Sequence, residues 1–113
     1  MLLKGKEKKA LRATANTLKP VVYIGKSGLD NKQLSAIDDA LENHELIKIK
    51  FLDYKEQKKE LCAKIEECTS CALVGLIGHI AIFYREHPDE GKRKIDLTKL
   101  IEGRHHRKGI SRE

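Results

Sequence analysis

Between Leu18 and Asp30 the chain changes character three times, and this short stretch constrains the fold more than any other. Pro20 lacks an amide hydrogen and its ring clashes inside a helix, so the helical pattern before it must stop. Val21-Val22-Tyr23-Ile24 is a β-branched and aromatic run, the composition of a buried strand. Gly25-Lys26-Ser27-Gly28 then turns the chain, and Asp30 stands in the first turn of the helix that follows. Strand and helix alternating in this way predict a sheet with helices packed on it.

The flanking segments extend the pattern. Gly5 to Leu18 reads as a basic helix, with Ala10, Leu11, Ala13, Thr14 and Leu18 as its apolar stripe and Lys6, Lys9 and Arg12 outside it. A second helix runs from Asp30 to about Asn43, carrying Leu34, Ile37, Ala40 and Leu41 at helical spacing. From Glu45 to Leu52, Leu46, Ile47 and Ile49 against Lys48 and Lys50 predict a half-exposed strand. Lys55 to about Ser70 is a third helix with Leu61, Ala63, Ile65 and Cys68 inward, and Ala72–Ile77 and His79–Arg85 form a hairpin joined at Gly78. The predicted order is α-β-α-β-α-β-β, an α/β fold of the α+β two-layer sandwich kind on one four-stranded mixed sheet.

A length of 113 residues allows one compact domain, assigned to residues 1–86. Beyond Pro88 the periodicity fails. Residues 89–94 are a charged turn, Ile95, Leu97, Leu100 and Ile101 offer a short segment to dock, and 103–113 reads as a loose basic tail dispensable for folding. Residues 87–113 are therefore expected to be a basic, partly flexible extension.

Charge points to a partner. The net charge is +6, and residues 1–28 hold Lys4, Lys6, Lys8, Lys9, Arg12, Lys19 and Lys26 against Glu7 alone. The middle of the chain is nearly balanced, and from Gly91 to Arg112 only Asp96 and Glu102 oppose the basic residues. Cations clustered at both ends suit a polyanion, because they release counterions on meeting phosphates. No membrane partner is expected: Lys4 interrupts the apolar start at once, and Ile80-Ala81-Ile82-Phe83-Tyr84 is far too short to cross a bilayer. Three cysteines, an odd number, argue against a disulfide framework and for a reducing, cytoplasmic setting.

Gly25-Lys26-Ser27-Gly28 is the most informative motif. Its glycines let backbone approach a ligand closely, and Lys26, the Ser27 hydroxyl and the amides of the next helix would suit a phosphate. G-x-x-G is also an ordinary tight turn, and the stretch is neither a dinucleotide fingerprint nor a Walker A loop. Gly75-Leu76-Ile77-Gly78 repeats the spacing with an apolar interior and reads as strand end and turn. Cys68-Thr69-Ser70-Cys71 lacks the partner pair of a zinc site and closes a helix where a redox motif should open one. Buried cysteines are the plainer reading. His105-His106 lies in the basic tail. His44-Glu45 has no nucleophile at a fixed spacing, so no enzyme activity and no cofactor or metal are assigned. Core packing explains Tyr23, Phe51, Tyr54, Phe83 and Tyr84 at least as well as base stacking.

The blocks Leu18–Leu29, Ala40–Lys50 and Ile77–Arg85, in that order, resemble the CRM domain (chloroplast RNA splicing and ribosome maturation) in its bacterial, stand-alone YhbY-like form. The resemblance spans about residues 3–86. It implies a fold like the C-terminal domain of a bacterial translation initiation factor. It also implies an RNA-binding protein associating with precursors of the large ribosomal subunit, a ribosome assembly factor, and a monomer is expected. It implies that Gly25, Lys26 and Gly28 form an RNA-facing loop with the basic first helix beside it, and the residues expected to face RNA are Lys6, Lys9, Arg12, Lys19, Gly25, Lys26, Ser27, Gly28 and Arg85. His79 stands where relatives often carry Lys, and the chain beyond Arg85 lies outside the match. Two other functions compete: a general RNA chaperone without ribosomal specificity, and a small cysteine-based redox or metal protein.

Overall fold

A computed structural model describes residues 3–102. Its elements are α1 (Gly5–Ala15), β1 (Pro20–Ile24), α2 (Asn31–His44), β2 (Leu46–Phe51), α3 (Lys58–Thr69), β3 (Ala72–Ile77) and β4 (Ile80–Tyr84). The strands form one sheet in the order β1-β2-β4-β3, with β1 parallel to β2 and the other pairs antiparallel. The sheet is therefore mixed and four-stranded, and the element order is the expected one.

Alternation along the strands separates two cores. Ile47, Ile49 and Phe51 of β2, Val22 and Ile24 of β1, and Ala81 and Phe83 of β4 share one face with Ile37 and Leu41 of α2 and Cys62 and Ile65 of α3. The opposite face carries Leu46, Val74, Ile82 and Tyr84, covered by Leu11 and Ala15 of α1. The two-layer sandwich of sheet and α2/α3 thus has a third helix packed on its back. Gly75 makes room for it. A Cβ there would lie 2.7 Å from the Arg12 Cδ, and the Arg12 guanidinium donates to the Val74 carbonyl at 2.8 Å.

Some boundaries differ from the sequence expectation, for local reasons. α1 ends at Ala15, leaving Leu18 exposed. The residue before a proline is pushed towards extended backbone, so the chain must leave the helix ahead of Lys19. Lys55–Gln57 is a separate 3₁₀ turn entered from the left-handed Tyr54 (φ 58°), and Gln57 (φ −97°, ψ 10°) departs from α-helical backbone before α3 begins. Cys68 faces solvent, and Thr69 takes the inward position at the end of α3.

The larger departure is the extension. Residues 87–102 were expected to be partly flexible, yet 87–95 are tied to the domain by Glu45, a carboxylate only 1% exposed. One Glu45 oxygen accepts from the His87 amide at 2.6 Å; the other accepts from the Lys94 and Ile95 amides at 2.7 and 2.9 Å. Glu45 itself has φ 62°, a left-handed conformation unfavourable for a residue with a Cβ, and these bonds hold it there. The His87 imidazole meets Glu42 at 2.7 Å, and Ile95, Leu97 and Leu100 pack on the α1 core. Ile95, Leu97 and Leu100, three of the four apolar residues offered for docking, therefore do dock. The tail at 103–113, with His105-His106, lies outside the described residues.

Candidate nucleic-acid interface

β1 and β2 are parallel and β4 runs against them, so three connections meet at one end of the sheet: loop 25–28, segment 52–57 and hairpin 78–79. Backbone bonds fasten them together. Leu52 and Asp53 both donate to the Ile24 carbonyl, and Phe51 donates to that of His79.

Loop 25–28 is a tight turn closed by the Gly28 amide donating to the Gly25 carbonyl at 2.9 Å. Gly28 has φ 69°, the left-handed region that glycine tolerates best. Tyr54 props the turn from beneath: its hydroxyl donates to the Lys26 carbonyl at 2.8 Å, and its ring lies 3.4 Å from where a Gly28 Cβ would stand. The turn thus has fixed geometry while Lys26 and Ser27 are exposed. The start of α2 behind it is less suited to an anion. Asp30 caps the helix by accepting from the Gln33 amide at 2.9 Å, which puts a carboxylate where a phosphate would approach the helix dipole.

Lysines gather at the same end of the sheet as the turn. Lys50, Lys55 and Lys58 converge on the hairpin, where the Lys58 ammonium lies 3.0 Å from Nδ1 of the exposed His79. The His79 pKa is lowered, first by partial desolvation and then by repulsion from Lys58, Lys55 and Lys50. The bond from Lys58 leaves Nδ1 as acceptor and the proton of the neutral ring on Nε2.

The nine residues expected to face RNA do not form one patch. Gly25, Lys26, Ser27 and Gly28 sit at this end of the sheet. Lys6 and Lys9 are exposed on α1, across the sheet from α2 and α3. Lys19 lies at the start of β1, a strand length of about 17 Å from the turn, beside an apolar groove of Leu18, Val21 and Ile95. Two arginines leave the set of available cations. Arg12 is half-buried and bonded to Val74. The Arg85 side chain is only 17% exposed and reaches Asp38 at 2.6 Å, the Thr69 carbonyl at 2.8 Å and Glu42 at 3.5 Å, tying β4 to α2 and α3. Sequence reasoning missed Lys50, Lys55, Lys58 and Tyr54. They come from the charge-balanced middle of the chain, where only the fold shows which acids lie elsewhere.

The cysteines form no common centre. Cys62 and Cys71 are buried and Cys68 is exposed. Burial first, then the nearby Glu66, pushes the Cys62 thiol up to about 11, so it stays protonated at neutral pH. Among the described residues no group of three or more His, Cys, Asp or Glu side chains is placed to hold a metal ion, and no helix is long and apolar enough to cross a membrane.

The family model for the CRS1/YhbY (CRM) domain matches residues 3–85, from the start of the described chain to the end of the sheet. The chain belongs to the CRS1/YhbY family. Similar proteins include one from Haemophilus influenzae named RNA-binding protein, 40% identical, with the alignment covering 86% of this chain and 96% of that one. Another is YqeI of Bacillus subtilis, 34% identical over 85% of this chain and 99% of its own length. The solution structure of SAV1595 from Staphylococcus aureus superposes with a TM-score of 0.70 at 38% identity, covering 84% of this chain and all of that one. The Glu45-bound segment continues past the CRM match, which stops at residue 85.

Proposed function

We propose that this CRM protein binds structured RNA through its phosphates, as a cytoplasmic, monomeric assembly factor for the large ribosomal subunit and not as an enzyme. Turn 25–28 and, at the same end of the sheet, Lys50, Lys55 and Lys58 make the primary grip, with Lys6 and Lys9 adding charge from α1 and Lys19 from the far end of β1. The single observation that carries the reading is the propped turn. Tyr54 fixes a glycine-flanked loop from below while its Lys26 and Ser27 face solvent. A rigid turn loses little entropy on gripping a backbone, and clustered ammonium groups gain by counterion release. The name carried by the Haemophilus influenzae relative supports RNA as the ligand. Family resemblance supports the ribosomal precursor as its source.

Sucrose-gradient sedimentation of cell extracts, probed for this protein, tests the ribosomal part. Co-migration with large-subunit precursors is expected. An even spread across all RNA would favour a general chaperone instead.

A further inference from the structure

The face of the sheet that carries α1 is only partly covered. Register places Tyr23 beside Lys50, Lys50 beside Ile80, and Ile80 beside Ile77, a single row crossing all four strands next to the turn. Their neighbours Val22, Ile24, Ile49, Phe51, Leu76 and Ala81 point into the α2/α3 core, so the row itself points the other way. α1 covers the rows below it, through Leu46, Val74, Ile82 and Tyr84. This row is left more open, above all at its two ends: Tyr23 is 48% and Ile77 61% exposed, with Lys50 exposed and Ile80 half-buried between them. The strand residues on this face include Lys48 and Lys50 and no carboxylate.

We propose that this row is a stacking platform for an unpaired nucleotide, adjoining the phosphate grip assigned above and resting on that reading. A tyrosine ring offers a flat face to any base, and four-stranded sheets with exposed aromatics hold single-stranded RNA in this way elsewhere. Lys50, next to Tyr23 in the row, supplies the charge for the phosphate of the stacked nucleotide, and Ile80 and Ile77 continue the surface for the sugar or the next base. The row spans about 14 Å, three strand spacings, which accommodates two or three nucleotides and not a duplex groove. The lysines decide between classes of partner, because they favour a polyanion over a second copy of this basic chain. The RNA recognised would therefore be a junction, with paired backbone at the turn and an unpaired strand leaving across the sheet.

The test uses the full chain and two RNA hairpins, one blunt-ended and one carrying a four-uridine single-stranded extension, compared by fluorescence anisotropy. The unmodified protein is expected to bind the extended hairpin more tightly. Tyr23→Ala should lose about tenfold on the extended hairpin and little on the blunt one, while Tyr23→Phe keeps the affinity. Stacking is uncharged, so Tyr23→Ala should leave the salt slope unchanged, whereas Lys50→Ala should reduce it. Equal losses on both hairpins, or none on either, would overturn the platform while leaving the phosphate grip standing. If neither hairpin binds, the grip itself fails. A concentration-dependent dimer abolished by Tyr23→Ala would assign the row to a protein contact and overturn the proposal as well.

Discussion

At the turn, charge and backbone make separable contributions. Lys26→Ala removes one exposed cation and should weaken RNA binding by about 1 kcal/mol or less, as a single screened phosphate contact. Gly28→Asp should cost more, because a side chain at φ 69° is strained, meets the Tyr54 ring and adds a repelling carboxylate. A filter-binding comparison of the two variants, each checked by circular dichroism, decides the matter; intact affinity in folded Gly28→Asp would remove the turn from the site. His79 adds a pH response. Its folded pKa lies below the unfolded value near 6.5, so folding stability falls as pH drops through that window, the unfolded chain binding the proton more readily. RNA affinity should move the opposite way and rise over the same interval, since an approaching phosphate favours the charged ring. Anisotropy titrations across this range should show the rise in the unmodified protein and lose it in His79→Gln.

Among the elements, the extension from His87 onwards bears most on stability. Glu45→Ala leaves three backbone amides without their acceptor and releases the hold on a strained left-handed residue. It should destabilise the fold by about 3 kcal/mol, the range found for breaking a buried charged network. Truncation after Glu86 should do at least as much harm, because it also strips Ile95, Leu97 and Leu100 from the α1 core. Thermal melts of both forms test this, and unchanged midpoints would show that the extension does not hold on the domain. Tyr84 makes a useful contrast. It is buried beneath α1 with a hydroxyl that lacks a hydrogen-bond partner among the described residues. Tyr84→Phe should therefore leave stability unchanged or slightly raised.

Among the described residues charge is spread over several places: α1, the sheet end with the turn and hairpin, and the start of β1 each hold lysines. RNA affinity should consequently fall steeply with salt, log K dropping about 0.7 to 0.9 for each phosphate neutralised per log unit of salt, and a flat titration would sink the electrostatic grip. Much of this architecture was legible in the sequence because periodicity reports burial directly. Val22, Ile24, Ile37, Leu41, Ile47 and Ile49 announce their elements by spacing alone. What stayed hidden depends on pairing across the fold. Arg85 ends a strand and looks like an exposed cation until Asp38 and Glu42 arrive from a helix more than forty residues away. Glu45, beside His44, looks like any polar residue at a turn, and nothing local says that amides from residues 87–95 will close over it. Lys55 and Lys58 lie in a stretch of neutral balance, and only the pairing of the strands brings them to the same end of the sheet as the turn.

The Glu45 carboxylate also has a kinetic signature. The amides of His87, Lys94 and Ile95 share one acceptor group, so detaching the segment exposes all three at once, whereas the sheet can stay closed. In deuterated solvent these amides should exchange together, at a common rate faster than that of the β2 and β4 amides, reporting a small cooperative unit that opens without global unfolding.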